Sequence, residues 1–200
     1  LNVSATITDF ADIGFAHDYK GGVGVTGTTQ VTAWADQIGS SNFTQSAGTT
    51  CPSTATDANS KNVLRFSGAS SQYLVLNALL INPTADFTVC MVVSKTNTTG
   101  GYVFEASHHG SLAVCNVGYG SSVSNNNYKV DSGSYGYANT NGLGGQAFSQ
   151  TTPHFIALMR KNGVFYMSFD GSSWSKSSVT ADTFTLTGTN TTTIGCGWAN

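Results

Sequence analysis

The sequence is poor in charged residues. Only 9% of its 200 residues are Asp, Glu, Lys or Arg, and the formal net charge is −2, whereas about a quarter of an average soluble domain is charged. Lys and Arg do not cluster beyond the pair Arg160-Lys161, so the basic surface that neutralises phosphates is missing and we expect no nucleic-acid partner. No apolar run approaches the ~20 residues of a membrane-spanning helix, and we expect no membrane partner.

Glutamate and paired cysteines are also scarce. Glu105 is the one glutamate, and the four cysteines are scattered without a C-x-x-C pair, a spacing that does not suit zinc. Retaining glycosidases need two closely placed carboxylates, and no aspartate lies two or four residues from Glu105. We therefore predict no catalytic residues and assign no metal ligands. The titratable group of Glu105, His108 and His109 is interpreted as a polar strand end followed by a loop, because adjacent side chains of an extended chain point to opposite sides.

Ser, Thr, Asn and Gly, by contrast, make up nearly half of the chain, while Phe, Tyr and Trp contribute 11%. This aromatic content, together with the low net charge, is atypical of a disordered chain. The surface is therefore expected to be polar but uncharged, with hydroxyl and amide groups in place of ions. Such a surface suits an extracellular or virion setting, and it is compatible with sugar hydroxyls as ligands.

Helical periodicity is almost absent, and short strands separated by Gly, Ser and Asn are expected throughout. The segment 86–94 alternates, with Phe87, Val89 and Met91 on one face. Its other face also carries apolar residues, which predicts a strand near the middle of a sheet. The remaining predicted strands cover residues 31–34, 63–66, 73–76, 102–105, 112–117, 184–186 and 192–195.

A β-hairpin is predicted between residues 155–160 and 164–169. Its turn contains Asn162-Gly163, the preferred pair of a type I′ turn because both residues accept positive φ. The stretch 118–146 is rich in Gly, Ser, Asn and Tyr. It is interpreted either as a hairpin or edge strand pair with an exposed aromatic face, or as a solvated excursion from the domain.

Several motifs follow one another in the order of a known family. They are the W-x-D-x-x-G segment 34–39, the F-S-G segment 66–68 with Tyr73-Leu74, the D-F-T-V segment 86–89, the N-G and D-G pairs of 162–171, and Ile194-Gly195. Together they resemble concanavalin A-like, laminin-G-like domains, with Ser67 in place of the usual aspartate. The resemblance implies an all-β fold, a two-sheet antiparallel jelly-roll sandwich, formed by one domain over residues 1–200.

The end of the sequence departs from this pattern. Family members usually continue past the I-G strand into a last strand that returns beside the N-terminus, whereas this sequence ends at Asn200. We therefore expect either an incomplete sequence or a final strand that is supplied from elsewhere. An open sheet edge of this kind invites association with another chain, so self-association is one expected partnership.

Domains of the family that the sequence resembles are frequent in bacteriophage virions and in secreted bacterial carbohydrate-binding proteins. The first hypothesis is a non-catalytic virion surface protein, either a capsid decoration, a fibre or a tail module, whose partners are other virion proteins and cell-surface glycans. The alternative is a secreted bacterial, lectin-like carbohydrate-binding module. The low charge and the Gly, Ser, Thr and Asn content favour the virion surface.

The predicted ligand-binding residues are aromatic. Trp174 follows the hairpin among polar residues, which predicts an exposed platform for stacking, whereas Trp34 belongs to a family motif and is interpreted as a core residue. Tyrosines offer contact area at low entropic cost, and those of the polar stretch complete the predicted site: Tyr119, Tyr128, Tyr135 and Tyr137.

Calcium is the one cofactor that the resemblance leaves open, since many domains of this kind carry it on loops. Calcium binds clustered oxygen ligands. Asp9, Asp12 and Asp18 form the densest acidic stretch, but they do not follow a calcium-loop pattern, so no calcium ligand is assigned.

Overall fold

The computed structural model describes residues 14–82, 85–94, 101–108, 115–119, 128–131, 152–180 and 189–195. These residues form fourteen β-strands and one 3-10 turn at Gly68–Ser70. Every strand pairing among them is antiparallel, so the prediction of an all-β antiparallel fold is confirmed. Within these residues, no helix is long and apolar enough to cross a membrane.

The strands form three sheets and are numbered here in chain order. The largest sheet has the spatial order β1 (Val25–Thr26), β2 (Ala33–Trp34), β3 (Phe43–Thr44), β6 (Tyr73–Leu76), β14 (Thr189–Gly195), β8 (Gly101–His108), β9 (Cys115–Tyr119) and β10 (Tyr128–Asp131). The second sheet has the order β13 (Ser175–Thr180), β12 (Val164–Phe169), β11 (His154–Lys161) and β7 (Phe87–Val93). The third sheet pairs β4 (Ser53–Thr56) with β5 (Asn62–Arg65).

The eight-stranded and four-stranded sheets share a hydrophobic core. Phe104 of β8 is buried together with four residues of β11 and β12, namely Ile156, Leu158, Met167 and Phe169. Burial of each such side chain stabilises the fold by roughly 1.5–3 kcal/mol. Because this cluster joins residues of both sheets, the architecture is compatible with a β-sandwich.

A second core cluster lies at the other end of the eight-stranded sheet. It consists of Val31, Phe43, Leu74 and Leu76. Leu80 and Ile194 are partly buried and pack against both clusters. The segment around Leu80 and the strand β14 therefore connect the two parts of the core.

The predicted hairpin is confirmed. Lys161 and Val164 are paired, so the loop consists of Asn162 and Gly163 alone, whose φ angles are 52° and 78°. Both angles are positive, as a type I′ turn requires.

Strand β7 forms where the sequence predicted it, but within the described part of the chain it lies at the edge of its sheet and not near the middle. Among the described strands β7 pairs with β11 alone and lies at an edge of its sheet. Val89 and Met91 pack against the core, while the opposite face is exposed, and Val92 is 69% accessible to solvent. The residue types misled the prediction because an apolar side chain on a strand does not itself show that anything covers it.

Within the Tyr-rich stretch 118–146 the structure describes Gly118, Tyr119 and the strand β10. β10 pairs with β9 and is the last described strand of the large sheet, and the exposed aromatic face stays a prediction. The rest of that stretch and the predicted strand 184–186 lie outside the described residues. The other predicted strands each overlap an observed one.

Candidate functional site

Trp174 lies on the turn that joins β12 to β13, and its side chain is 47% exposed. We refer to residues 170–174 as the Trp174 turn. Asp170 and Gly171 both have positive φ, at 49° and 74°. The N–H of Ser172 donates to the carbonyl of Phe169 at 2.8 Å, and the hydroxyl of Ser168 donates to the carbonyl of Ser172 at 2.6 Å. The turn is therefore held in one conformation by local hydrogen bonds.

Asp170 fastens the Trp174 turn to the start of β11. Its Oδ1 accepts the N–H of Phe155 at 2.9 Å, and its own N–H donates to the Phe155 carbonyl at 2.8 Å. Its Oδ2 lies 2.8 Å from Nδ1 of His154. This hydrogen bond from His154 keeps the pKa of Asp170 below its usual range, because the interaction favours the ionised carboxylate.

Large apolar side chains are exposed at this same end of the four-stranded sheet. Phe155 is 41% exposed, and its partner across the sheet, Val92, is exposed further. Trp174 directly precedes β13, whose first residue pairs with Met167. Trp174 is the largest of these exposed side chains, and its indole is the candidate for contact with a ligand.

The predicted tyrosines belong to the other large sheet. Tyr119 and Tyr128 are direct partners across β9 and β10, so the backbone brings these two positions together at the sheet edge. Tyr135 and Tyr137 lie outside the described residues. Trp174, in contrast, flanks the four-stranded sheet. A ligand-binding role for these five aromatic residues stays a prediction.

A second polar centre is formed by Asp36, whose side chain is fully buried. Oδ2 of Asp36 lies 2.6 Å from Nδ1 of His17, and Oδ1 accepts the N–H groups of Asp18 and Ile38, each at 3.1 Å. Burial alone would raise the pKa of Asp36, but these hydrogen bonds outweigh it and hold the pKa at about 2. The carboxylate is therefore ionised, and it ties together the segments on either side of β2.

The glycine of the W-x-D-x-x-G motif serves this centre. A Cβ at Gly39 would lie 2.5 Å from Oδ2 of Asp36 and 3.1 Å from Nδ1 of His17. Trp34 is half-buried beside the core, and its indole N–H donates to the carbonyl of Lys20 at 3.0 Å. Trp34 therefore packs against the core at its margin instead of lying within it, and the motif has a structural explanation: it builds a buried carboxylate centre.

Sequence reasoning missed both His–Asp pairs. His17 is 19 residues from Asp36 and His154 is 16 residues from Asp170, so no local pattern links the partners. The one available signal was that the aspartates belong to the short motifs W-x-D-x-x-G and D-G. A motif aspartate that precedes or follows a turn often accepts backbone N–H groups, and both do so here.

Of the densest acidic stretch, Asp9, Asp12 and Asp18, the structure describes Asp18. Asp18 is buried, and its Oδ2 lies 3.0 Å from Nζ of Lys20. Asp9 and Asp12 lie outside the described residues. Glu105 and His108 occupy β8, and His109 lies outside the description. The part of the chain that the structure describes contains no group of three or more His, Cys, Asp or Glu residues that could hold a metal ion.

Comparison with known proteins found no match, whether with protein-family models, with curated proteins or with solved structures.

Proposed function

We propose that this chain is a non-catalytic jelly-roll module of the concanavalin A-like, laminin-G-like kind, which works at the surface of a bacteriophage virion and binds host glycans through Trp174. Its place in the virion would be that of a capsid decoration, a fibre or a tail module. The observation that carries the proposal is the half-exposed indole of Trp174 on a turn that hydrogen bonds hold in place. An aromatic face on a turn whose backbone is already fixed is well suited to stack on a sugar ring, because less of the chain has to be ordered on binding.

The use of the carboxylates supports a non-catalytic role. Aspartates at the motif positions accept hydrogen bonds from their own chain: Asp36 from Asp18 and Ile38, and Asp170 from Phe155. A glycosidase needs a carboxylate pair that faces a substrate. Here each of these carboxylates fastens a turn, which is a structural task.

The same motifs support the proposed fold. Asp86, at the start of the D-F-T-V segment, accepts the N–H of Asn162 at 2.8 Å, so this motif and the N-G turn are in direct contact. Arg160 is buried nearby and donates to the carbonyl of Ala85 at 3.0 Å. Motifs that are distant in the sequence thus form joint contacts, which is expected if they belong to one fold pattern rather than occurring by chance.

A secreted bacterial carbohydrate-binding module is the second candidate, because the exposed Trp174 would serve it equally well. The two candidates differ in assembly. A virion protein is expected to bind other virion proteins in a fixed number of symmetric copies, whereas a secreted module is expected to bind sugar without such partners.

A glycan array and intact bacterial cells provide the test, each with calcium and then with a chelator. We expect selective binding that is lost in Trp174→Ala. Val23→Ala is the matched control, because Val23 is similarly exposed at 45% but lies beside β1, in the other sheet. Binding that survives Trp174→Ala, or that falls equally in both variants, would remove Trp174 from the proposal. Absence of binding to any glycan or cell would leave a purely structural role.

A further inference from the structure

The carboxylate of Asp170 is held in place by the chain and is open to solvent at the same time. Its Oδ1 accepts the N–H of Phe155 at 2.9 Å, and its Oδ2 lies 2.8 Å from Nδ1 of His154, yet the side chain is 50% exposed. The two oxygens of a carboxylate offer about four acceptor positions, and these two bonds occupy two of them. Each oxygen therefore retains the capacity to accept one further hydrogen bond.

The other motif aspartates lie in different surroundings. The side chain of Asp36 is fully buried. Asp86 is exposed, but its Oδ1 lies 3.6 Å from Nη1 of Arg160, so a cation of the same chain stands beside it. Asp170 is the motif aspartate that shares an exposed turn with a large aromatic side chain, that of Trp174. Its position therefore suits contact with a ligand as well as the fastening of the turn.

The Trp174 turn brings a carboxylate and an indole within reach of one ligand. All of its residues, 170–174, are exposed. Asp170 and Trp174 are four positions apart, so their Cα atoms are separated by at most about 14 Å, and the hydrogen bonds that close the turn at Ser172 shorten this span. The hydroxyl of Ser172 accepts the N–H of Phe169 at 3.2 Å, and a hydroxyl that accepts can donate its own proton as well. One oligosaccharide can therefore contact both side chains.

We propose that Asp170 determines the specificity of the Trp174 turn: it accepts hydroxyl protons of an uncharged glycan whose ring stacks on Trp174, and it selects against glycans that carry a carboxylate or sulfate at this position. The inference rests on the proposed binding of glycans through Trp174. A hydroxyl bonded to a carboxylate forms a charge-assisted hydrogen bond, which is roughly twice as strong as a neutral one. Because the bonds to Phe155 and His154 already orient the carboxylate, little ordering opposes this contact.

The charge of Asp170 is the reason for the selection. The hydrogen bond from His154 keeps the pKa of Asp170 below its usual range, so the carboxylate is ionised at neutral pH. An acidic group of a ligand would face it as a like charge, and it would bring an acceptor to a group that only accepts. Since Asp170 is half exposed, water screens the repulsion. We therefore expect a graded preference for neutral glycans.

Matched pairs of immobilised glycans test the proposal with the whole chain at pH 7. Each pair consists of a neutral oligosaccharide and the same oligosaccharide capped with sialic acid or sulfate. We expect the wild type to bind the neutral member about three- to fivefold more tightly than the acidic one. Asp170→Asn removes the charge, and this ratio of affinities should fall to about one. Asp57→Asn removes the same charge from an exposed turn between β4 and β5, and it should retain the ratio of the wild type.

The ratio separates specificity from mere support of the turn, because a loosened turn would weaken both members of a pair equally. Binding that depends on Trp174 but does not distinguish the two members in the wild type would overturn the inference and leave the proposed function standing. A ratio that Asp170→Asn leaves unchanged would do the same, with circular dichroism to confirm that the variant is folded. A wild type that binds no glycan, or binding that survives Trp174→Ala, would overturn the proposed function and this inference with it.

Discussion

The hydroxyl of Thr192 accepts the backbone N–H of Leu80 at 2.8 Å, although 112 residues separate the two in the sequence. The same hydroxyl donates to the carbonyl of Ala78 at 3.0 Å. Thr192 is fully buried on β14, and Leu80 contacts both core clusters. One side chain thus fixes the irregular segment before β7 to the central part of the large sheet.

Thr192→Val should therefore be destabilising despite its similar shape. The change removes both hydrogen bonds of the buried hydroxyl, which costs about 1–3 kcal/mol in total. Urea denaturation measures the change. Thr44→Val is the control, because the Thr44 hydroxyl is exposed and lies 3.5 Å from its acceptor, the carbonyl of Val75; we expect a change below about 0.5 kcal/mol. Equal losses in both variants would contradict the bridging role of Thr192.

The buried carboxylate of Asp36 predicts a loss of stability in acid. Its pKa of about 2 in the folded protein is below its ordinary value of 3.8, so its contribution is complete above about pH 4 and is lost as the pH falls towards 2. The difference between the two pKa values corresponds to about 2 kcal/mol of folding stability. The stability of Asp36→Asn should depend less on pH across this window, as measured by urea denaturation at pH 2.5, 3.5 and 5. If the free energy of unfolding of Asp36→Asn falls with decreasing pH as steeply as that of the wild type, Asp36 does not cause the loss of stability in acid.

Gly39→Ala should destabilise the protein through a clash with the Asp36 carboxylate. The added methyl group would lie 2.5 Å from Oδ2 of Asp36, so the buried carboxylate and its hydrogen bond with His17 would have to move, at a cost of about 2–3 kcal/mol. Gly171→Ala is the comparison. Its Cβ would meet no atom within 4 Å, and its penalty arises from a φ of 74° alone, about 1–2 kcal/mol. The melting temperature of Gly39→Ala, measured by thermal unfolding, should therefore be lower than that of Gly171→Ala.

Asp170→Asn should loosen the Trp174 turn without unfolding the sheet. The hydrogen bond from His154 to an ionised carboxylate would be lost, while the backbone pairing of β11 and β12 would remain. Loss of about 1 kcal/mol of local stability corresponds to about fivefold faster local opening. Trypsin cleavage after Lys176, at the start of β13, measures this opening. Asp57→Asn, in the exposed turn between β4 and β5, should leave that cleavage rate unchanged.

Local signals in the sequence predicted the local structure well. The pair Asn162-Gly163 specified its turn because positive φ is a property of those residues, and β6 was found at its observed bounds because its apolar residues lie between turn residues. β1 and β3, with two residues each, carry too little pattern to be recognised. Their existence depends on pairing with neighbours that are distant in the sequence.

The polar centres and the position of β7 could not be predicted in the same way. The contact of His17 with Asp36 arises only when the chain on either side of β2 folds together. Likewise, the exposure of Val92 is decided by which strands lie beside β7, and its residue type gives no information on that point. Trp174 was an exception, because its polar neighbours predicted the exposure that the structure shows.

The small number of charged residues also affects how fast the protein associates with its partners. Asp36, Asp57, Asp86 and Asp170 each accept a backbone N–H of their own chain, and the net charge is only −2. Because only 9% of the residues are charged and the two signs nearly balance, little electric field extends into the solvent to guide an approaching molecule. Encounters should proceed at the unsteered rate of about 10⁵–10⁶ M⁻¹s⁻¹ and should be almost indifferent to ionic strength, from dilute buffer to seawater.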